Sequence, residues 1–159
     1  MTMTLYEISL EEKDNPEFYS LGKEYNSLIG RWNDYNSQLH KFKVPRLFLF
    51  KTKHKLISIG RNIAKLQKDF LDWQKRAHNF CIEPHYKVDP KKSGSLIYLH
   101  FTATMRDLVN RLDSNMTLLA NNYQDVYSQY QNQVNFLIAI IAFIVSFIGL
   151  LLGIITFTK

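Results

Sequence analysis

The sequence predicts an all-α protein, an antiparallel three-helix coiled-coil-like bundle whose third helix continues into a single C-terminal transmembrane helix. Three stretches carry apolar residues at alternating spacings of 3 and 4, the repeat of a helix that buries one face. The third stretch runs directly into an uncharged apolar segment, Val134 to Thr158. We therefore divide the chain into a bundle over 1–133 and a membrane helix over 134–158.

The apolar segment is long enough to cross a bilayer. Its polar side chains are Asn135, Ser146, Thr156 and Thr158. As a helix it extends roughly 37 Å, against a hydrocarbon core of about 30 Å. A buried core helix is the alternative, but a chain of 159 residues rarely encloses a helix that is apolar on every face.

The first helix is predicted over about residues 15–43. Asp14 or Asn15 ahead of Pro16 is typical of a helix start, because a capping side chain and a proline both suit the first turn. Gly22 and Gly30 fall outside the apolar stripe. The stripe consists of Phe18, Leu21, Tyr25, Leu28, Trp32, Tyr35, Leu39 and Phe42.

The second helix is predicted over about residues 46–80, after Pro45, which disfavours helical geometry in the residue before it. Its stripe consists of Leu56, Ile59, Ile63, Leu66, Phe70, Trp73, Ala77 and Phe80. The third helix is predicted over 100–133. Its stripe, which contains neither glycine nor proline, consists of Met105, Val109, Leu112, Met116, Leu119, Tyr123, Val126 and Tyr130.

The connection between the second and third helices spans 81–95 and contains two prolines and a glycine. On either side of it, 85–89 and 95–101 alternate in part between apolar and polar residues. A small β-hairpin at the membrane-distal end is therefore a possible arrangement, and the segment 4–10 could supply a third strand.

Charge and cysteine content indicate where the bundle resides. The formal net charge is +6, which suits an acidic partner, and the chain has one cysteine, which excludes an internal disulfide and fits a reducing compartment. The N-terminal sequence lacks a basic flank followed by an apolar core, so no signal peptide is predicted. The bundle is accordingly expected on the cytoplasmic side of a membrane.

A basic turn is predicted to contact the membrane surface. No lysine or arginine occurs from Ser114 to Gln133, but antiparallel packing would carry the turn at 40–55 down to the start of the span. Lysine and arginine near an anionic leaflet contribute about 1 kcal/mol each, and interleaved phenylalanines can enter the interface. The predicted contact residues are Lys41, Lys43, Arg46, Phe48, Phe50, Lys51, Lys53 and Lys55.

The basic turn is open to two other interpretations. It could be a solvated helical turn with incidental charge. Lysine interleaved with aromatic residues also describes single-strand binding, but a site pressed against a bilayer is a poor one for nucleic acid. No nucleic-acid partner is therefore predicted.

Small residues within the span predict self-association. They follow the same 3 and 4 spacing and let helix backbones approach closely, which is how helices associate in lipid. Since the chain has one predicted span, the partner would be another copy, giving a homo-oligomer. The predicted face consists of Ala139, Ala142, Ser146, Gly149 and Gly153.

The sequence carries no recognisable catalytic motif, so no catalytic residue, cofactor or enzymatic activity is predicted. His78, Cys81 and His85 could supply metal ligands at the distal end of the bundle. Structural zinc usually has four ligands in tighter pairs, and no fourth is evident, so no metal site is predicted.

Two partial resemblances bear on the architecture. The run from Asn121 to Phe143, a polar helix entering a span, resembles the stalk helix of CorA-type magnesium channels. The glycine-methionine-asparagine signature and second span of that family are missing from the sequence, so its transport chemistry is not implied. Three amphipathic helices with a C-terminal anchor also look like a SNARE, but without a polar residue centred in the last stripe or a separate linker.

Two functions follow as expectations. In the first, a non-enzymatic single-pass protein homo-oligomerises through its span and acts as a membrane-perturbing or pore-forming effector. A setting in bacterial defence is suggested by analogy alone. In the second, the protein is an anchored adaptor or tether that presents an acidic N-terminal end to a protein partner. That end includes Glu7, Glu11, Glu12, Asp14 and Glu17.

Overall fold

The protein, as a computed structural model, consists of three helices over the residues that the structure describes, 16–45, 49–82 and 94–157, without the side chains of 94–99. Helix α1 spans Pro16–His40, α2 spans Leu49–Ile82 and α3 spans Gly94–Phe157. The predicted all-helical class is confirmed. Helix α3 contains 64 residues, which corresponds to roughly 96 Å.

The three helices form a bundle in which each contacts the other two. Phe18, at the start of α1, meets Phe80 at the end of α2 and Phe101 near the start of α3, with ring centroids 6.0 and 4.5 Å apart. Helix α1 is therefore antiparallel to α2 and parallel to α3. The bundle is confirmed, whereas its coiled-coil-like packing stays a prediction.

The buried core matches the apolar stripes closely. A helix that places apolar residues every three or four positions has one face to bury, and here the three faces meet along the bundle axis. The buried side chains are Leu21, Leu28, Leu39, Leu56, Ile59, Ile63, Leu66, Phe70, Trp73, Ala77, Phe80, Cys81, Phe101, Met105, Leu112, Met116, Leu119 and Val126.

Both tryptophans connect helices through hydrogen bonds to backbone. Trp73 is fully buried and its Nε1 donates to the carbonyl oxygen of Leu21 on α1 at 2.9 Å. Trp32 Nε1 donates to the carbonyl oxygen of Asn115 on α3 at 2.6 Å. Since a buried indole N–H without a partner is costly, these bonds help to specify the register of α1 against its neighbours.

Ion pairs join α1 to α2 at the surface. Arg31 Nη1 donates to Asp69 Oδ2 at 2.7 Å, and Arg76 binds both carboxylate oxygens of Glu24. The hydrogen bonds from Arg76 lower the pKa of Glu24. Both pairs are solvent-accessible, so each contributes only about 0 to 1 kcal/mol to stability.

The helix ends differ in part from the prediction. Helix α1 ends at His40 rather than at 43. Just after this end, Lys41 N donates to Ser37 O and Phe42 N donates to Leu39 O. Phe42 and Val44 then pack against the core, which turns the chain back towards α2 before Pro45. Helix α2 is described from Leu49 onwards, and its predicted start at about 46 lies outside the described residues.

The predicted β-hairpin is not supported, because the structure has no strand among its described residues and places 94–100 in the first turns of α3. Phe101 and Thr102 are buried, and Phe101 packs against Phe18. The helical stripe of α3 therefore starts one turn before Met105, and burial of that turn favours helix over strand. The hairpin's other segments, 4–10 and 85–89, lie outside the described residues.

Gly22 on α1 and Gly60 on α2 differ in the space available for an added side chain. A Cβ at Gly22 would meet no atom within 4 Å, whereas a Cβ at Gly60 would lie 2.8 Å from Cζ of Tyr123. We expect Gly22→Ala to raise the free energy of unfolding by up to about 1 kcal/mol through helix propensity. We expect Gly60→Ala to lower it by about 1 to 2 kcal/mol, because the half-buried Tyr123 ring must move. Urea unfolding of the full-length protein in detergent, followed by circular dichroism, measures both, and equal gains at the two positions would contradict this packing.

Candidate membrane-associating surfaces

The C-terminal part of α3 leaves the bundle and carries its apolar side chains outwards. Its most apolar part contains no buried residue, and the helix is long and apolar enough to cross a membrane. Phe143 is 72% exposed and Val145 63% exposed. An apolar surface of this extent is unusual on a soluble monomer and indicates contact with lipid or another chain.

The predicted small-residue face lies on this exposed segment. Ala139, Ala142, Ser146 and Gly149 are exposed and Gly153 is half-exposed. A Cβ at Gly149 or Gly153 would meet no atom within 4 Å, so the backbone is open there to a neighbouring helix. Its role in self-association stays a prediction.

The same face continues along α3 beside the bundle. The 3 and 4 spacing extends backwards from Ala139 through residues that are all exposed and therefore lie on the side of α3 away from the core. None of them is basic. We call this set, together with the small-residue face, the outer α3 face; it consists of Ser114, Leu118, Asn121, Asp125, Ser128, Asn132, Asn135, Ala139, Ala142, Ser146, Gly149 and Gly153.

The basic turn lies at the end of the bundle from which the apolar segment emerges. Tyr123 Oη donates to the carbonyl oxygen of Leu56 at 3.4 Å, which sets α2 antiparallel to α3. At the other end, Cys81 Sγ lies 3.9 Å from the carbonyl oxygen of Thr102. In this register Leu49, at the start of α2, is level with about Tyr130, and the uncharged segment begins one turn later.

The described side chains of the basic turn are exposed, namely Lys41, Lys43, Phe50, Lys51, Lys53 and Lys55, whereas Arg46 and Phe48 lie outside the described residues. Phe50 is 74% exposed and its ring lies 4.7 Å from that of His54. Lys55 Nζ lies 5.6 Å from the centroid of the Phe42 ring, a cation–π contact. The turn thus combines lysines with an unburied aromatic ring, although membrane contact by these residues is a prediction.

Three tyrosines cluster at the same end, and two of them, Tyr123 and Tyr130, belong to the predicted apolar stripe of the third helix. The rings of Tyr123 and Tyr127 are 6.2 Å apart, and those of Tyr127 and Tyr130 are 6.3 Å apart. All three are half-buried, and burial raises the pKa of Tyr123. Tyrosine is enriched at membrane interfaces because its ring is apolar and its hydroxyl is polar. The sequence feature that could have predicted an interfacial role is the position of these tyrosines just ahead of an uncharged segment.

The histidine and cysteine of the distal end do not form a metal centre within the described residues, where no group of three candidate ligands occurs. His78 and Cys81 do line one groove between α2 and α3 together with Arg106, and His85 is outside the described residues. Burial raises the pKa of Cys81, so its thiol stays protonated near neutral pH.

The fold and these surfaces define a class, a three-helix bundle with a candidate membrane-spanning helix at its C-terminal end. No protein-family model, curated protein or solved structure matches this chain.

Proposed function

We propose that this protein is a non-enzymatic single-pass membrane protein that homo-oligomerises along α3 and acts as a membrane-perturbing effector, with its bundle on the cytoplasmic side. The observation that carries the proposal is the outer α3 face, which runs without a basic side chain from beside the bundle to deep within the apolar segment.

Lipid is the environment that suits the end of α3. Among the described residues, the bundle covers α3 only as far as about Tyr130, and most of the large apolar side chains beyond it are exposed. Burial of such side chains in a hydrocarbon core is worth about 25 cal/mol for each Å² removed from water. The exposed apolar helix is therefore a membrane anchor in this proposal.

Self-association would use both halves of the outer α3 face. Within lipid, Gly149 and Gly153 allow backbones to approach closely, which favours packing between helices. Beside the bundle, Leu118 is 47% exposed and its neighbours on the face are polar but mostly uncharged. Copies arranged with α3 at the centre would keep α1 and α2 at the outside, where their ion pairs remain in water.

The chemistry of the span favours a hydrophobic gate over a hydrophilic channel. The hydroxyl of Thr156 lies 3.0 Å from the carbonyl oxygen of Leu152 on its own helix. Ser146 is therefore the main polar group left deep in the span to face a lumen, with Asn135 at the start of the span. Pores with apolar constrictions open and close by wetting and dewetting.

The molecular mass of the full-length protein in detergent and dye leakage from reconstituted vesicles test the proposal together. A defined oligomer of the 18.8 kDa chain together with leakage is the expected result. A monomer that releases no dye would overturn it and favour the anchored adaptor, whose proposed acidic docking end lies mostly outside the described residues.

The basic turn is expected to rest on an anionic leaflet. In nanodiscs that contain anionic lipid, we expect acetylation of Lys51, Lys53 and Lys55 to be slower than in nanodiscs of neutral lipid. The comparison needs no mutation, and its internal controls are Lys65 and Lys68, which are also exposed on α2. Lys65 lies ten residues beyond Lys55, roughly 15 Å along the helix, which exceeds a screening length of about 8 Å at physiological salt. Equal rates in the two lipids at the first three lysines would rule out the contact.

A further inference from the structure

A groove between α2 and α3 lies near the end of the bundle that is farthest from the apolar segment. It has a volume of about 460 Å³ and no residue of α1 in its lining. This volume is within the range of small-molecule sites, about 300 to 1,000 Å³. Its lining comprises Leu71, Gln74, Lys75, Ala77, His78, Cys81, Arg106, Val109 and Asn110.

The groove is cationic. Lys75, His78 and Arg106 line it, and its described lining contains no acidic residue. Lys75 Nζ lies 3.9 Å from Asp72 Oδ1, an exposed pair outside that lining, so the excess charge of the groove rests mainly on Arg106. Arg106 forms no ion pair with a carboxylate in the described part of the chain, whereas Arg111, one turn further along α3, pairs with Asp107 at 2.8 Å. The side-chain partner of Arg106 in the groove is the neutral thiol of Cys81, and this contact leaves the positive charge of the guanidinium uncompensated and available to an anion.

A second depression, between α1 and α2, differs from the groove in charge. It has a volume of about 260 Å³, and its two arginines, Arg31 and Arg76, are paired with Asp69 and Glu24. Those charges are already neutralised. Of the two depressions, the α2–α3 groove alone offers excess positive charge.

The floor of the groove is apolar. Ala77 is fully buried, Cys81 is 7% exposed, and Leu71 at 52% exposure extends the apolar surface outwards. In the described lining His78 is the only aromatic ring, so these residues offer no broad platform on which a nucleobase would stack. A short aliphatic body fits this floor, and the amides of Gln74 and Asn110 can bond polar atoms at its edge.

We infer that the α2–α3 groove binds a small soluble organic anion, with its carboxylate or phosphate on Arg106, Lys75 and His78 and its aliphatic body over Ala77, Cys81 and Val109. Arg106 precedes Val134 by 28 positions, roughly 42 Å of helix. A lipid that remains in the bilayer does not reach this site, so the ligand arrives through water. The exclusion of membrane lipid rests on the proposed placement of α3 in a bilayer, whereas the charge and shape of the groove do not depend on it.

Hexyl phosphate and hexanoate are the probes, titrated by calorimetry into the full-length protein in nanodiscs of neutral lipid. Hexylamine and inorganic phosphate test the contributions of the chain and the anion separately. Cys81 is the only cysteine and lines the groove, so its rate of alkylation by a small reagent reports occupancy directly.

We expect saturable binding of at least one alkyl anion, slower alkylation of Cys81 in its presence, and weaker or no binding of the two comparison compounds. The anion that binds shows whether the site prefers phosphate or carboxylate. Arg106→Gln is expected to weaken binding about tenfold or more, because it removes a charge-assisted hydrogen bond. Lys75→Gln should weaken it to a smaller extent.

The matched control is Arg61→Gln, which removes an exposed arginine of α2 outside the groove and should leave binding unchanged. The inference is overturned if neither alkyl anion binds, if hexylamine or inorganic phosphate binds as tightly, or if Arg61→Gln and Arg106→Gln weaken binding equally. Circular dichroism of each variant establishes that the bundle is intact.

Discussion

Replacement of Trp73 by alanine is expected to lower the free energy of unfolding of the bundle by about 3 to 5 kcal/mol, the usual cost of truncating a buried tryptophan. The side chain is fully buried, its ring lies 5.9 Å from that of Tyr25 and 6.4 Å from that of Phe70, and its Nε1 donates to Leu21 O. The variant loses both the packing and the link between α2 and α1. Urea unfolding in detergent, followed by circular dichroism, measures the change.

Two controls separate the contributions at this position. Trp73→Phe keeps most of the ring and loses the hydrogen bond, so its cost should be smaller than that of alanine. Lys68→Ala removes an exposed side chain from the same helix and should change stability by no more than about 0.5 kcal/mol. If Trp73→Ala were as mild as Lys68→Ala, the packing described for α1 against α2 would be wrong.

The double replacement Gly149→Leu with Gly153→Leu is expected to convert the proposed oligomer to a monomer. The two added side chains would stand on the side of the span where a Cβ now has no neighbour, and would hold a second backbone at a distance. They also make the span more apolar, so failure to insert into the membrane is not expected. Light scattering in detergent gives the mass of the protein component, which should fall to that of one 18.8 kDa chain.

Ile144→Phe with Leu151→Phe is the matched control, because it adds volume to the span on the side opposite the small-residue face. This variant should keep the oligomer and its leakage activity. An unchanged mass for the double leucine variant, or an equal loss in both variants, would show that self-association does not use Gly149 and Gly153.

Much of the fold follows from the sequence because the pattern is local. A side chain's face on a helix depends only on its position modulo 3.6 residues, so the stripes through Leu21, Leu66 and Leu112 identify buried positions without knowledge of the neighbours. The start of α1 at Pro16 and the length of the apolar segment are equally local.

The start of α3 at Gly94 was not predicted, because the segment 95–101 has a pattern compatible with helix or strand. Phe101 packs against Phe18, which is distant in the sequence, and this contact favours the helix.

The candidate sites also differ in whether the sequence alone can reveal them. The small-residue face could be found within one helix, whereas the α2–α3 groove needs His78 and Arg106 from two helices, and no spacing in the sequence reports their proximity.

The sequence by itself determined three helices, the faces they bury and one segment too apolar for water, since each depends on the order of residues along a single helix. The tertiary structure alone decided which helices lie side by side and in what register. That register sets the basic start of α2 near Tyr130, leaves the outer α3 face exposed among the described residues, and brings Arg106 to a groove whose described lining has no carboxylate. The physical reason is that neighbours on different helices are selected by packing of the whole core, which no local repeat encodes.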